Sequence, residues 1–260
     1  MDMFISNLLI TFGSTFLVII SLWLFSIWIK DISIIDAAFA PIIISLAILI
    51  CLISQSSYQE KLLYLIPISI WGIRLSYLML KRKLGHGEDP RYTLLRSWKQ
   101  PGLEFNLFSL RKVFLLQGSV IWIMTLPMQV GINYLDLGAL NFINYFGISM
   151  LLIGFLWEAI ADYQLEKFKS ISENPGKFLQ SGLWKLSRHP NYFGEIVFWW
   201  GLFFVSLSEI SILLTIIGPM IYTYLIINVT GVRTMDKKMS KKYNRYPDYI
   251  KKTNSLIPKF

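Results

Sequence analysis

Apolar residues do not alternate along this chain. They come in long unbroken runs separated by short polar and basic stretches. Runs near 4–29, 34–54, 61–80, 113–133, 140–161, 190–207 and 210–231 each approach the roughly 20 residues that carry a helix across a bilayer. Inside lipid no water bonds an exposed peptide group, and a helix satisfies its own backbone. The pattern therefore predicts an all-α, polytopic integral membrane protein with seven transmembrane helices, folded as a single membrane domain over 1–260. The first run follows Asp2 with no basic stretch before it and is too long for a signal-peptide core, so it reads as a retained helix.

Composition narrows the class. Charged residues make up 16% of the 260 positions and apolar ones 54%, where a soluble domain carries about 25% charge. An ordinary cytosolic globule is excluded. The 15% aromatic content, without any low-complexity stretch, excludes disorder as well. Cys51 is the single cysteine, so no intrachain disulfide forms, and His86 and His189 are the two histidines. Iron enzymes built on several histidine boxes are thereby excluded, and no metal site is expected.

The net charge of +9 is distributed in a telling way. Of 25 Lys and Arg residues, eight fall in 81–112, five in 163–190, nine in 232–260, and Lys30 adds one. All four segments share one side of the membrane in the seven-helix arrangement. The opposite loops hold only Lys61, and Arg74 lies within a helix. Basic loops stay cytoplasmic, which places the N terminus outside and the C terminus in the cytoplasm. This bias accounts for the positive charge, so the expected partner is the lipid bilayer rather than nucleic acid. The tail over 235–252 is basic and interleaved with Tyr and Met, and two readings stay open: it lies on anionic lipid, or it covers a phosphate site. Trp23, Trp28, Trp199 and Trp200 read as an interfacial belt or as helix packing.

Ionisable groups at membrane depth cost about 2.5 to 3.5 kcal/mol each, so those present are candidates for function. They are Asp36, Arg74, Glu158, Asp162, Glu195 and Arg233. Arg74 lies seven residues before Lys81, within snorkelling reach of the interface. Glu158, Asp162 and Glu166 stack at i, i+4, i+8 on one helical face, where they need counter-ions or donors. Arg74, Arg188 and Arg233 are the basic candidates. A solvated stripe at the membrane exit and a proton relay are the other two readings.

The densest local signal runs from Ser187 to Glu195, Ser-Arg-His-Pro-Asn-Tyr-Phe-Gly-Glu. Pro190 suits the first turn of a helix, and Ser187 or His189 can cap its free amides. With Arg188 beside it, that helix start suits an anion. Asn191 and Glu195 share a face and offer an amide and a carboxylate to the same ligand; ordinary capping with a packed polar face is the alternative. The stretch Gly85 to Tyr92 is a cytoplasmic turn rich in helix breakers, with His86 a solvated loop residue.

Taken in order, several segments resemble the membrane steroid 5-alpha-reductase superfamily, and most closely its bacterial branch. They are Ser181-Gly182-Leu183-Trp184, the Ser187–Glu195 stretch, Trp199-Trp200-Gly201, Ile35-Asp36-Ala37-Ala38, Trp71-Gly72-Ile73-Arg74-Leu75 and the Gly87–Tyr92 run. Trp157-Glu158, Ala161-Asp162-Tyr163-Gln164-Leu165, Gly231-Val232-Arg233 and Ile257-Pro258 complete a similarity over nearly the whole chain. The resemblance implies a seven-helix bundle that binds NADPH from the cytoplasmic side, with 140–260 as the cofactor-binding half, in the bacterial inner membrane. The implied reaction passes hydride to a carbon–carbon double bond conjugated to a carbonyl, in a lipid-like or steroid-like substrate.

Carried over by position, Asp162, Lys169, Asn191, Glu195, Arg233 and Arg74 match cofactor-contacting residues. Glu158, Arg188, His189 and Tyr192 in the same segments complete the candidate set. Two features depart from the family pattern. Trp71 stands where the steroid enzymes place a tyrosine, and the second helix has Asp36 at the opposite end from their glutamate. Tyr77, i+3 from Arg74, and Asp36 are then the candidates to protonate or polarise the substrate oxygen.

A second class is open, an S-adenosylmethionine-dependent methyltransferase of an isoprenyl thiol or a lipid amine. Such enzymes are distantly related and share an Arg-His-Pro-like stretch. Charge separates the two, since three phosphates call for many basic residues and a sulfonium calls for none. A non-catalytic scaffold or proton-conducting bundle is the third class. In every case the hydrophobic small-molecule substrate would meet walls of Leu, Ile, Phe and Met, which select by size.

Overall fold

A computed structural model describes residues 2–85, 87–171, 176–207 and 212–260. His86 lies outside these. Among the described residues the regular structure is entirely helical. The chain divides into two compact units, Met1–Ala139 and Leu140–Phe260.

The first unit holds α1 (Asp2–Ile29), α2 (Ile34–Ile53), α3 (Tyr58–Lys83), the short α4 (Pro90–Arg96) and α5 (Leu103–Ser109), then α6 (Leu115–Met124) and α7 (Leu126–Tyr134). Their starts follow from the sequence. Ser57 and Glu60 form a reciprocal capping box at α3, which satisfies two amides that no helical carbonyl reaches. Asp89 caps α4, accepting from the Arg91 amide at 2.8 Å, and Pro90 occupies the first turn. A wider π turn at Leu110–Phe114 joins α5 to α6. Within the apolar core, α1 and α7 are joined by polar side chains: Thr11 donates to Gln129 at 2.8 Å and Asn7 to Asn133 at 2.9 Å. Such bonds hold helices together where the hydrophobic effect between them is absent.

The second unit is built on α8 (Phe142–Ser170) and α10 (Pro190–Val205), with the short α9 (Leu183–Leu186) before α10. α11 (Ile212–Leu225) follows, then a π turn at Ile226–Thr230, α12 (Val232–Lys242) and α13 (Tyr246–Lys252). Glycines spaced by seven bring α8 and α10 into backbone contact. A Cβ on Gly194 would lie 2.5 Å from the Glu158 amide nitrogen, and one on Gly154 2.5 Å from that of Phe198. Gly147 and Gly201 repeat this one heptad away. The close approach carries whatever sits beside these glycines on one helix directly onto the other.

Six helical stretches among the described residues are long and apolar enough to cross a membrane: Met3–Ile29, Ile34–Ile53, Tyr58–Lys83, Leu103–Tyr134, Phe142–Ser170 and Leu213–Lys242. This is the architecture of a multi-pass membrane protein. The difference from the seven expected spans is α10, whose 16 residues reach about 24 Å at 1.5 Å each, short of the roughly 30 Å hydrocarbon core. Its early start at Pro190 has a reason: Ser187, Arg188 and His189 before it are buried and bonded to the C-terminal segment. The last stretch is apolar only to about Thr230, because Arg233 and four lysines populate α12.

Candidate functional site

The sequence-derived candidates fall in both units. In the first, Asp36 sits in the first turn of α2 and accepts hydrogen bonds from the Tyr92 hydroxyl at 2.7 Å, Arg91 Nη2 at 2.8 Å and Gln117 Nε2 at 3.3 Å. Burial beside the Asp36 carboxylate holds the Tyr92 phenol far above its ordinary value, so it stays a donor. A second knot lies alongside. Lys83 pairs with Asp31, and Glu88 accepts Arg96 at 2.8 Å and the Ile32 amide at 2.9 Å. Burial opposes ionisation of Asp31, but hydrogen bonds from Lys83 and Ser33 outweigh it and hold this carboxyl below its usual range. Arg74 is part-buried on α3. Tyr77 is 60% exposed with Lys81 over its ring, and Trp71 is fully buried. The turn from Gly87 to Tyr92 is thus the ion-paired knot that joins α1, α2 and α4.

In the second unit Glu158 and Asp162 are buried on the α8 face that meets α10. Asn191 Nδ2 donates to Asp162 Oδ1 at 3.3 Å. One turn further along α10, Glu195 accepts from the Tyr222 hydroxyl of α11. These two bonds link the α8 carboxylates to α10, and α10 to α11. Trp200 donates to Thr223 at 3.1 Å and fastens α10 to α11. Lys169, in the last turn of α8, and Arg233, in the first turn of α12, are exposed.

Arg188 and His189 form a separate cluster. Arg188 is 8% exposed, and its Nη2 lies 2.7 Å from Asp236 Oδ2. Its Nη1 donates to the carbonyls of Thr253 and, at 3.2 Å, Ile250. His189 Nε2 lies 2.9 Å from Asp236 Oδ1, and the Tyr246 hydroxyl donates to the same oxygen at 2.7 Å. Burial next to that carboxylate pushes the Tyr246 phenol up. The Tyr192 ring stacks on His189 at 5.5 Å and 12°. Backbone bonds from the Arg188 amide to Asn254 and from the Lys259 amide to Leu186, both 2.9 Å, buckle the C-terminal segment onto residues 186–189. The α10 start expected to offer Arg188 to an anion therefore has that guanidinium occupied by Asp236. Ser187 takes up the His189 amide at 3.1 Å.

Sequence reasoning missed Asp236, Tyr222, Tyr246 and Tyr92. Asp236 had a signal, as the one acid among the basic residues from Arg233 to Arg245. Tyr222 had none beyond a hydroxyl inside an apolar run. Of the tryptophans, Trp199 is buried, Trp28 is 77% exposed, and Trp23 donates to the Asn106 carbonyl at 3.1 Å. Among the described residues no group of three or more His, Cys, Asp or Glu side chains is placed to hold a metal ion.

No curated protein and no solved structure matches the chain. A family model does, described as "Protein of unknown function (DUF1295)", and it covers residues 22–255, from late α1 through α13 and so across both polar clusters. The chain belongs to the DUF1295 family.

Proposed function

We propose that this protein is an NADPH-dependent membrane reductase acting on a carbon–carbon double bond conjugated to a carbonyl in a hydrophobic, lipid-like or steroid-like substrate. The observation that carries the reading is the α8–α10–α11 polar cluster of Glu158, Asp162, Asn191, Glu195 and Tyr222, beside apolar helix faces and one helix away from the exposed Arg233. The family resemblance of the same segments supplies the cofactor. The residues fit such a cofactor in kind. Buried carboxylates and an amide suit ribose hydroxyls and a carboxamide, and exposed Arg233 and Lys169 suit phosphates. Arg188 serves that site by holding the start of α10 rather than by meeting a phosphate, with Tyr192 stacked on His189 as part of the same brace.

When bound, the cofactor supplies hydride. The protein's part is to orient it and to keep water away. For the accompanying proton, Asp36 with Tyr92 is one candidate and Tyr77 the other. On this reading the chain crosses a bacterial inner membrane seven times, with 190–207 as the sixth crossing, the N terminus outside and the C terminus in the cytoplasm. The clustering of basic residues around α4, after α8 and in α12 supports that orientation.

One observation favours a second reading. The cluster holds three carboxylates, Glu158, Asp162 and Glu195, and this suits the cationic sulfur of S-adenosylmethionine in a lipid or isoprenylcysteine methyltransferase. A thermal-shift screen of the detergent-purified chain separates the two. NADPH at 100 times its dissociation constant adds about 2.7 kcal/mol of stability, and Arg233→Ala and Glu195→Ala remove the shift. A shift with S-adenosylmethionine alone supports the second reading, and a folded sample indifferent to both nucleotides defeats both.

A further inference from the structure

α12 is strongly two-sided. Its single acid, Asp236, turns inward to Arg188 and His189, and Met235 and Met239 beside it are part-buried. Lys237, Lys238 and Lys241 are exposed and carry no acidic partner among the described residues. The charges on the outward face are therefore all positive, and Thr234 is exposed among them. Arg233, Lys237 and Lys241 also repeat at i, i+4, i+8, an arrangement in which like charges destabilise their own helix.

The Asp236–Arg188 bond fixes where this face lies. Arg188 stands two residues before Pro190, where apolar α10 begins, and α12 itself begins directly after the apolar residues of α11 and its π turn. Asp236 is thus tied to the level at which two apolar helices end. Its neighbours Lys237 and Lys238 sit at that level and Lys241 one turn on. With a headgroup plane at the ends of these apolar helices, the lysines would lie within about a Debye length of it, some 8 Å at physiological salt.

We infer that the outer face of α12 is a binding surface for anionic phospholipid headgroups of the membrane in which the protein sits. The lysine ammonium groups meet headgroup phosphates there, and that neutralisation removes the repulsion along the helix. The inward carboxylate makes the arrangement work, because an outward Asp236 would cancel part of the field and leave Arg188 unpaired. The inference does not depend on the proposed reductase reading.

The test titrates the full-length chain in micelles of a zwitterionic detergent with short-chain phosphatidylglycerol, short-chain phosphatidylcholine and inorganic phosphate, following the melting temperature. Phosphatidylglycerol is expected to raise it saturably, with the effect lost at high salt, while the other two leave it unchanged. Each lysine near an anionic surface contributes about fivefold in affinity, so Lys237→Gln/Lys238→Gln/Lys241→Gln should weaken phosphatidylglycerol binding by about 100-fold. The pair Lys237→Gln/Lys241→Gln, expected to lose about 25-fold, answers the same question if the triple variant does not fold. NADPH shifts measured on the same samples report separately on the reductase reading. Wild-type affinity in these variants, or an equal response to inorganic phosphate, overturns the inference.

Discussion

The two units handle charge differently. In the first, charged side chains at the helix ends meet opposite charges: Asp31 with Lys83, Glu88 with Arg96, Asp36 with Arg91. In the second, Asp162 and Glu195 inside the bundle also take hydrogen bonds from neutral side chains, Asn191 and Tyr222. The ion pair of Arg188 with Asp236 stands at the C-terminal buckle. A ligand hydroxyl can replace a neutral hydrogen bond at little cost, since the net value of each is about 1 kcal/mol. Taking one partner from a buried ion pair leaves an uncompensated charge. The Asn191–Asp162 and Tyr222–Glu195 bonds are therefore ones that a ligand hydroxyl can replace at low cost.

The largest expected effect breaks the comparison at the Arg188–Asp236 ion pair. Asp236→Ala strands a guanidinium that is 8% exposed, and removing one partner of such a pair costs about 3 to 5 kcal/mol. The expected outcome is a large fall in melting temperature, with protease cleavage after Lys251 or Lys252 appearing first. Arg91→Ala in the first unit removes an ion pair too, but that side chain is 58% exposed, and about 0 to 1 kcal/mol is expected. Equal losses in the two variants would erase the distinction.

Next in size is a pair of glycine substitutions. The Cβ of Gly194→Ala meets the α8 backbone at 2.5 Å, so the helices must separate, at about 1 to 3 kcal/mol. In Gly72→Ala the contact at 2.7 Å is the flexible end of Ile44, which turns aside for less than about 1 kcal/mol. Binding of NADPH should follow the same order, because separating α8 from α10 pulls Asp162 from Asn191.

How far the sequence foretold this depends on whether local or long-range chemistry decides each feature. Helix starts were legible: Pro190 in a first turn, and the polar stretches between the apolar runs, are local signals. The i, i+4 stacking of Glu158 and Asp162 was legible for the same reason, and both prove buried. The fate of Arg188 was not. Its partner lies 48 residues away, and no periodicity pairs a residue before one helix with the single acid of another. Tyr222 was invisible because a tyrosine within an apolar helix reads like any packing aromatic. The apolar run reads to 207, and α10 ends two residues earlier, at Val205 with Ser206 as its cap.

A smaller effect concerns pH. Asp31 is held below its ordinary pKa by Lys83 and Ser33, so its contribution to stability is fully present above the unfolded carboxylate range and is lost as pH falls through the lowered folded value. Melting temperatures measured from neutral to acidic pH should show a loss below about pH 4 that Asp31→Asn flattens. A wild-type profile with no acid-side loss, or one that Asp31→Asn leaves unchanged, would remove the Asp31–Lys83 pair from the account of how the first unit is closed.

The smallest stability effect is the most informative about function. Arg233 is exposed at the start of α12, so Arg233→Ala should change the melting temperature of the ligand-free chain by no more than surface substitutions usually do, within about 0.5 kcal/mol. If it meets a phosphate, the same substitution should weaken NADPH binding by about tenfold or more, since a charge-assisted bond is worth about 1.5 to 3 kcal/mol. Arg233→Lys should recover part of that loss, because the charge survives while the planar fork is gone. A variant as stable as wild type that binds NADPH as wild type does would leave the carboxylate-rich bundle without its phosphate end. The balance would then move to a ligand that carries positive charge, and the methyltransferase reading would take precedence.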